Sequence, residues 1–204
     1  MINKNQILRR IASKPILYDV FYKETNQAKP LIIFCHGYKG FKDWGAWDLM
    51  AKAFMNEDCF FLKFNFSHNG GTMENPIDFP DLEAFAENNY TKELDDIESI
   101  LDHILDDNNP FSSEIDKDNL TLIGHSRGGG IAILKSSEDS RIKKLITLAS
   151  VSNFGKRSST IGNLDEWKRD GVKYIMNGRT KQMMPHNYQF YLNYKENEDR
   201  LIPL

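Results

Sequence analysis

The strongest chemical signal in the chain is Gly124-His125-Ser126-Arg127-Gly128, a G-x-S-x-G pattern. A serine hydroxyl is a weak nucleophile at neutral pH and depends on its placement and on a neighbouring base. The flanking residues speak to the placement. Residues 120–123 read as a strand, and residues 127–135 read as a helix with Gly128, Gly129 and Gly130 in its first turn. A strand that turns straight into a helix holds the intervening serine in a strained conformation. Its neighbours two positions away, Gly124 and Gly128, must then lack bulky side chains. The helix start also directs backbone N–H groups towards the serine. A glycine-rich turn with an incidental serine is the alternative reading.

His36-Gly37 follows the apolar run 31–35 and is the second signal. The tetrahedral intermediate of acyl transfer needs two N–H donors on its oxyanion. The backbone N–H groups of Arg127, next to the serine, and of Tyr38, in the loop after the earlier strand, are the candidates. Gly37 would let the backbone approach the substrate closely, and His36 would order that loop.

The elements that must position these residues alternate. Strands are predicted over 14–23, 31–35, 59–66, 120–123 and 142–149, and helices over 46–56, 91–107 and 127–135. The second helix is the clearest, started near Thr91, with Leu94, Ile97, Leu101, Ile104 and Leu105 on one stripe. His103 lies off that stripe and reads as solvated, as do the pairs Asp95-Asp96 and Asp106-Asp107. His68 reads as a turn residue and His125 as packing under the turn. Trp44 and Trp47 read as core in preference to pocket wall. Residues 1–14 carry basic side chains and no apolar run long enough for a signal peptide, and the first strand is expected only from residue 14. Strands alternating with helices imply an α/β fold, a mainly parallel sheet with flanking helices in a single domain, 1–204. Its core spans 1–153. Residues 154–200 form an irregular, lid-like insert rich in aromatic and Met side chains, and residues 201–204 (LIPL) read as the first residues of a further strand.

The segments LIIFCHGYKGFKDW, FLKFNFSHNG and LIGHSRGGGIAI, with the helix between the last two, resemble the α/β-hydrolases. They are closest to the dienelactone-hydrolase-like and prolyl-oligopeptidase-like members. The resemblance implies a serine hydrolase that cleaves an ester or related acyl bond of a small molecule through a Ser126 acyl-enzyme. It also implies an acid and then a histidine after the serine. The only later histidine, His186, lies in the insert. It is a surrogate base at best, with an acid such as Asp165, or else a surface or lid histidine. The family's acid and histidine are therefore expected beyond residue 204, with two more strands and on the order of 60 further residues. Strand 142–149 would then be a sheet edge carrying Leu145, Ile146 and Leu148, open to self-association.

Net charge is −3, from 26 basic and 29 acidic residues, so no strong positive field points to nucleic acid. No apolar stretch reaches the roughly 20 residues of a membrane span. Two cysteines without CxxC spacing suggest the cytoplasm. No His/Cys/Asp spacing suggests a metal and no GxxxxGK[ST] a nucleotide, so no cofactor is expected. The reading from another class is a non-catalytic α/β-hydrolase fold that serves as a binding or interaction module.

Overall fold

The run Leu31-Ile32-Ile33-Phe34-Cys35 has no polar position because both of its faces are covered. In the computed structural model, which describes residues 1–154 and 162–201, it lies in the middle of a six-stranded sheet. The strands are β1 (Ile2–Arg10), β2 (Ser13–Phe21), β3 (Lys29–Cys35), β4 (Phe60–Phe64), β5 (Ile115–His125) and β6 (Lys144–Leu148), in spatial order β1-β2-β4-β3-β5-β6. Strands β4, β3, β5 and β6 run parallel, while β2 pairs antiparallel with β4 and β1 with β2. The sheet is thus mainly parallel, as the alternating pattern predicts.

Strand alternation decides which helix covers which face. Leu31, Ile33 and Cys35 point with Leu120 and Leu122 into the larger core, which is closed by α3 (Tyr90–Leu105) and α4 (Arg127–Glu138). Ile32 and Phe34 point with Phe61 and Ile123 to the other face, where Trp47, Ala51 and Phe54 of α1 (Trp47–Asn56) pack. The register Ile33↔Leu122, Cys35↔Gly124 levels the ends of β3 and β5, so the loop after β3 and Ser126 leave the sheet side by side.

Several expectations are corrected. Residues 1–14 hold β1 and the start of β2. The strand β1, INKNQILRR, is polar because it sits on the outer edge, where side chains can stay in water, and so it shows no apolar run. Of the expected insert 154–200, residues 155–161 lie outside the described residues, and residues 162–200 are not irregular: they carry α5 (Leu164–Asp170), the antiparallel hairpin β7 (Val172–Met176) and β8 (Met183–Asn187), and α6 (Gln189–Glu196). Each is too short to show a period. A short helix, α2 (Leu82–Ala86), interrupts the loop after β4. Leu201 closes a 3-10 turn, Glu198–Leu201, and does not open a strand, while residues 202–204 lie outside the described residues.

Helix α3 starts at Tyr90, capped by Asn89, whose side chain accepts the Lys92 N–H at 2.9 Å. Two of its residues read as solvated are not. Asp96 is buried: it pairs with Arg10 at 2.8 Å and accepts the Ser67 N–H at 2.7 Å. His103 is half-buried and shares a 2.9 Å hydrogen bond with the Tyr18 hydroxyl. Trp44 is exposed rather than core, whereas Trp47 packs on Phe34 and His125. Strand β6 is a sheet edge among the described residues, and Leu145 and Ile146 are exposed there. No helix among the described residues is long and apolar enough to cross a membrane.

Candidate functional site

Ser126 sits between β5 and α4 with φ 53° and ψ −118°, a conformation that side-chain-bearing residues rarely adopt. Its N–H donates to Leu148 O at 2.9 Å, and its carbonyl accepts from Gly129 N at 3.1 Å and Val151 N at 3.0 Å, so the backbone around it is over-determined. The side chain is half-buried, and Oγ has no hydrogen-bond partner among the described residues. The glycines are there for space. A Cβ on Gly128 would lie 2.2 Å from the His36 carbonyl oxygen, and one on Gly124 would lie 2.5 Å from that of Gly128. A Cβ on Gly37 would lie 3.0 Å from Ser126 Cβ, which shows how closely the loop after β3 passes the serine.

The backbone N–H groups of Tyr38 and Arg127 have no acceptor among the described residues. Arg127 is the first residue of α4, where a helix leaves its N–H groups unsatisfied. His36 orders the loop from inside. Its Nε2 accepts the Phe66 N–H at 3.2 Å, so Nδ1 carries the proton and donates to Gly37 O at 2.9 Å. Burial, opposed by the Gly37 hydrogen bond, lowers its pKa to about 4. The Arg127 side chain is buried. Its Nε donates to Glu93 Oε2 at 3.0 Å, and its guanidinium lies over the rings of Tyr90 and Phe190, 4.7 and 5.0 Å from their centroids.

The structure places His186 in β8, near the site but not on the serine. Its Nε2 accepts from the Tyr38 hydroxyl at 2.6 Å, and Nδ1 donates to Met184 O at 3.1 Å. Both ring nitrogens are thus engaged, and neither bonds Ser126 or a carboxylate. Asp165 is exposed in the first turn of α5 and has no bond to His186. The triad Ser126, His186, Asp165 is not assembled. The Tyr38 side chain, which ties the loop after β3 to the hairpin, was missed at the sequence level, where only its backbone N–H stood out. No local signal marks a hydroxyl whose partner is 148 positions away. His68 shares a 2.8 Å hydrogen bond with Ser67 Oγ just beyond β4. His125 is half-buried against Trp47.

Burial, with Lys173, Arg127 and Lys39 adding to it, lowers the His186 pKa to about 3 against the opposing Met184 bond. An unfolded histidine titrates near 6.5, so the folded chain resists a proton that the unfolded chain takes. The stability this represents is present above pH 6.5 and is lost as pH falls towards 3, at about 1.4 kcal/mol per pH unit. Between pH 7.5 and 5, wild type should lose about 2 kcal/mol more than His186→Gln in urea unfolding. Equal losses in the two chains would refute the buried, neutral imidazole.

A second group of titratable residues lies where the loop meets the sheet. Asp19, Asp43 and Asp48 bring carboxylate oxygens within 4.8 Å of one another, the grouping that could hold a cation. The Lys63 ammonium stands among them, 2.9, 2.7 and 2.7 Å from the three carboxylates.

A strained serine on a strand-to-helix turn, served by a close-passing loop from the adjacent strand of a mainly parallel sheet, is the architecture of the α/β-hydrolases, and the chain has their fold. No family model and no curated protein matches it. Solved structures do. Mouse alpha/beta hydrolase domain-containing protein 10 is 20% identical with a TM-score of 0.64, over 97% of this chain and 70% of that one. Est1E from Butyrivibrio proteoclasticus is 15% identical with a TM-score of 0.65, over 95% and 70%. DcsB, solved with its substrate analogue, is 15% identical with a TM-score of 0.68, over 96% and 75%. At these identities the likeness is one of fold.

Proposed function

We propose that the chain is a serine hydrolase of the dienelactone-hydrolase-like or prolyl-oligopeptidase-like kind, acting on a small-molecule ester or related acyl bond. The observation that supports this reading best is the strained Ser126, whose Oγ has no partner among the described residues, beside two N–H groups that lack acceptors among them. Ser126 Oγ attacks the carbonyl carbon, and the N–H groups of Tyr38 and Arg127 receive the oxyanion as the tetrahedral intermediate forms. The serine proton passes to a general base and returns from it to the departing oxygen, so collapse expels the alcohol and leaves an acyl-enzyme, which water then hydrolyses. Because the donors belong to backbone held by Gly37, Gly124 and Gly128, they need no reorganisation at the moment of attack. His186, engaged at both nitrogens, is not the base in this arrangement.

The test is covalent labelling by a fluorophosphonate, with short nitrophenyl esters as substrates and Ser126→Ala as control. Labelling at Ser126 in wild type and none in the variant is the expected result. In a protease of the same chemistry, loss of the serine costs about 10⁶ in kcat. Absence of labelling, with ester turnover equal to that of Ser126→Ala, would overturn the reading. One observation favours a second reading, a binding module on the same fold: no imidazole among the described residues is bonded to Ser126. The same experiment decides between the two.

A further inference from the structure

Asp19, Lys42 and Lys63 expose no surface, although an unpaired charge in the interior would be prohibitive. They belong to a network of three lysines (Lys4, Lys42, Lys63) and three aspartates (Asp19, Asp43, Asp48), whose formal charges cancel. Lys63 is its centre. It lies on β4 opposite Asp19 on β2. Its ammonium donates to Asp43 Oδ1 at 2.7 Å and to the Lys42 carbonyl at 2.8 Å. It also lies at ion-pair distance, 2.9 and 2.7 Å, from Asp19 Oδ2 and Asp48 Oδ1. Three N–H donors cannot serve four acceptors, so the position is richer in oxygen than one ammonium can satisfy, as a divalent-cation site is.

Two of the four acceptors, the Asp43 carboxylate and the Lys42 carbonyl, are on the loop that carries Tyr38. Lys42 reinforces the connection, with its ammonium 2.8 Å from Asp19 Oδ1 and its own N–H donating to Asn65 Oδ1 at 2.6 Å. Burial alone would raise the Asp43 pKa, but hydrogen bonds from Lys42 and Lys63 bring it down to about 2. Asp43 is therefore charged at neutral pH. Well-packed apolar residues are often at least as stabilising as a buried ionic cluster, so stability alone does not account for this one. What it does supply is directional anchorage of one loop to β2, β4 and the first turn of α1.

We propose that Lys63 is a positioning residue that serves as a built-in cation: its ammonium fills a three-carboxylate site and thereby holds the Tyr38 N–H in place beside Ser126. This rests on the acyl-transfer reading of Ser126 and extends it to a residue outside the site.

The experiment compares wild type with Lys63→Ala and with Asp48→Asn, a change at the half-exposed rim of the network. Three quantities are read: ester turnover, hydrogen exchange of a peptide spanning 36–45, and the response of each to millimolar Ca²⁺. In Lys63→Ala, kcat should fall about 10–100-fold, the loss expected when an oxyanion donor moves by around an ångström, with KM little changed. Loop amides should exchange faster, and Ca²⁺ entering among the vacated carboxylates should restore both properties while leaving wild type unaffected. Wild-type exchange and kcat in a folded Lys63→Ala chain would overturn the proposal, as would a loss that Ca²⁺ does not reverse. If Lys63→Ala does not fold, Asp48→Asn decides. Faster loop exchange at a nearly unchanged Tm supports the proposal, and unchanged exchange overturns it. Loop exchange and its Ca²⁺ response do not depend on Ser126 chemistry. An inactive wild-type chain would count against the acyl-transfer reading alone.

Discussion

Gly128→Ala is expected to cost about 3 kcal/mol or more in urea unfolding and to abolish covalent labelling of Ser126. The added Cβ would lie 2.2 Å from the His36 carbonyl oxygen and 2.7 Å from that of Cys35. Both oxygens belong to backbone at the end of β3, which parallel pairing holds on either side, so no side-chain rotation relieves the overlap. The start of α4 must move away from β3 instead. That movement separates the Arg127 N–H from the Tyr38 N–H and opens the space in which an oxyanion would sit. Gly178→Ala is the matched control, since nothing lies within 4 Å of a Cβ there, and its effect should stay within about 0.5 kcal/mol. Similar stabilities for the two variants would contradict the close approach of α4 to β3.

Glu93→Ala should be about as damaging, for an electrostatic reason. Glu93 Oε2 accepts from Arg127 Nε, Oε1 accepts from Asn88 Nδ2 at 2.8 Å, and both members of the ion pair are buried. Burial raises the Glu93 pKa, with Arg127 opposing, so the carboxylate depends on the guanidinium as much as the reverse. Removing one partner leaves an uncompensated buried charge, at a cost of about 3–5 kcal/mol. Replacing both, as Glu93→Leu with Arg127→Met, should recover most of that loss, because an apolar pair of similar volume is often neutral or better. The double variant keeps the Arg127 backbone N–H and should therefore still label at Ser126. Failure to label in a stable double variant would show that the Arg127 side chain, rather than its backbone, is what the chemistry needs.

The unequal legibility of the molecule follows from how far apart the interacting residues are. The run Leu31–Cys35 could be read as a buried strand because burial on two faces demands apolar residues at every position. The α3 stripe could be read because sixteen residues give several turns of a 3.6-residue period. Strand β1 could not, since an edge strand tolerates Asn, Lys and Arg, and neither could the hairpin after α5, whose strands have five residues each. Asp96 and His103 were misread for a common reason. Both lie off the apolar stripe of α3, and what buries them is Arg10, Ser67 and Tyr18 from other strands and loops.

By itself, the amino-acid sequence determined the parallel core and the glycine-lined turn that sets Ser126 at its apex, because those requirements are met within a few bonded neighbours. Only the tertiary structure decided which charges and hydroxyls meet. It set Lys63 among three aspartates, joined Glu93 to Arg127, and gave His186 to Tyr38 rather than to Ser126. Such partners come from strand register and from segments tens to more than a hundred residues apart, and hydrogen bonds and ion pairs act only at contact.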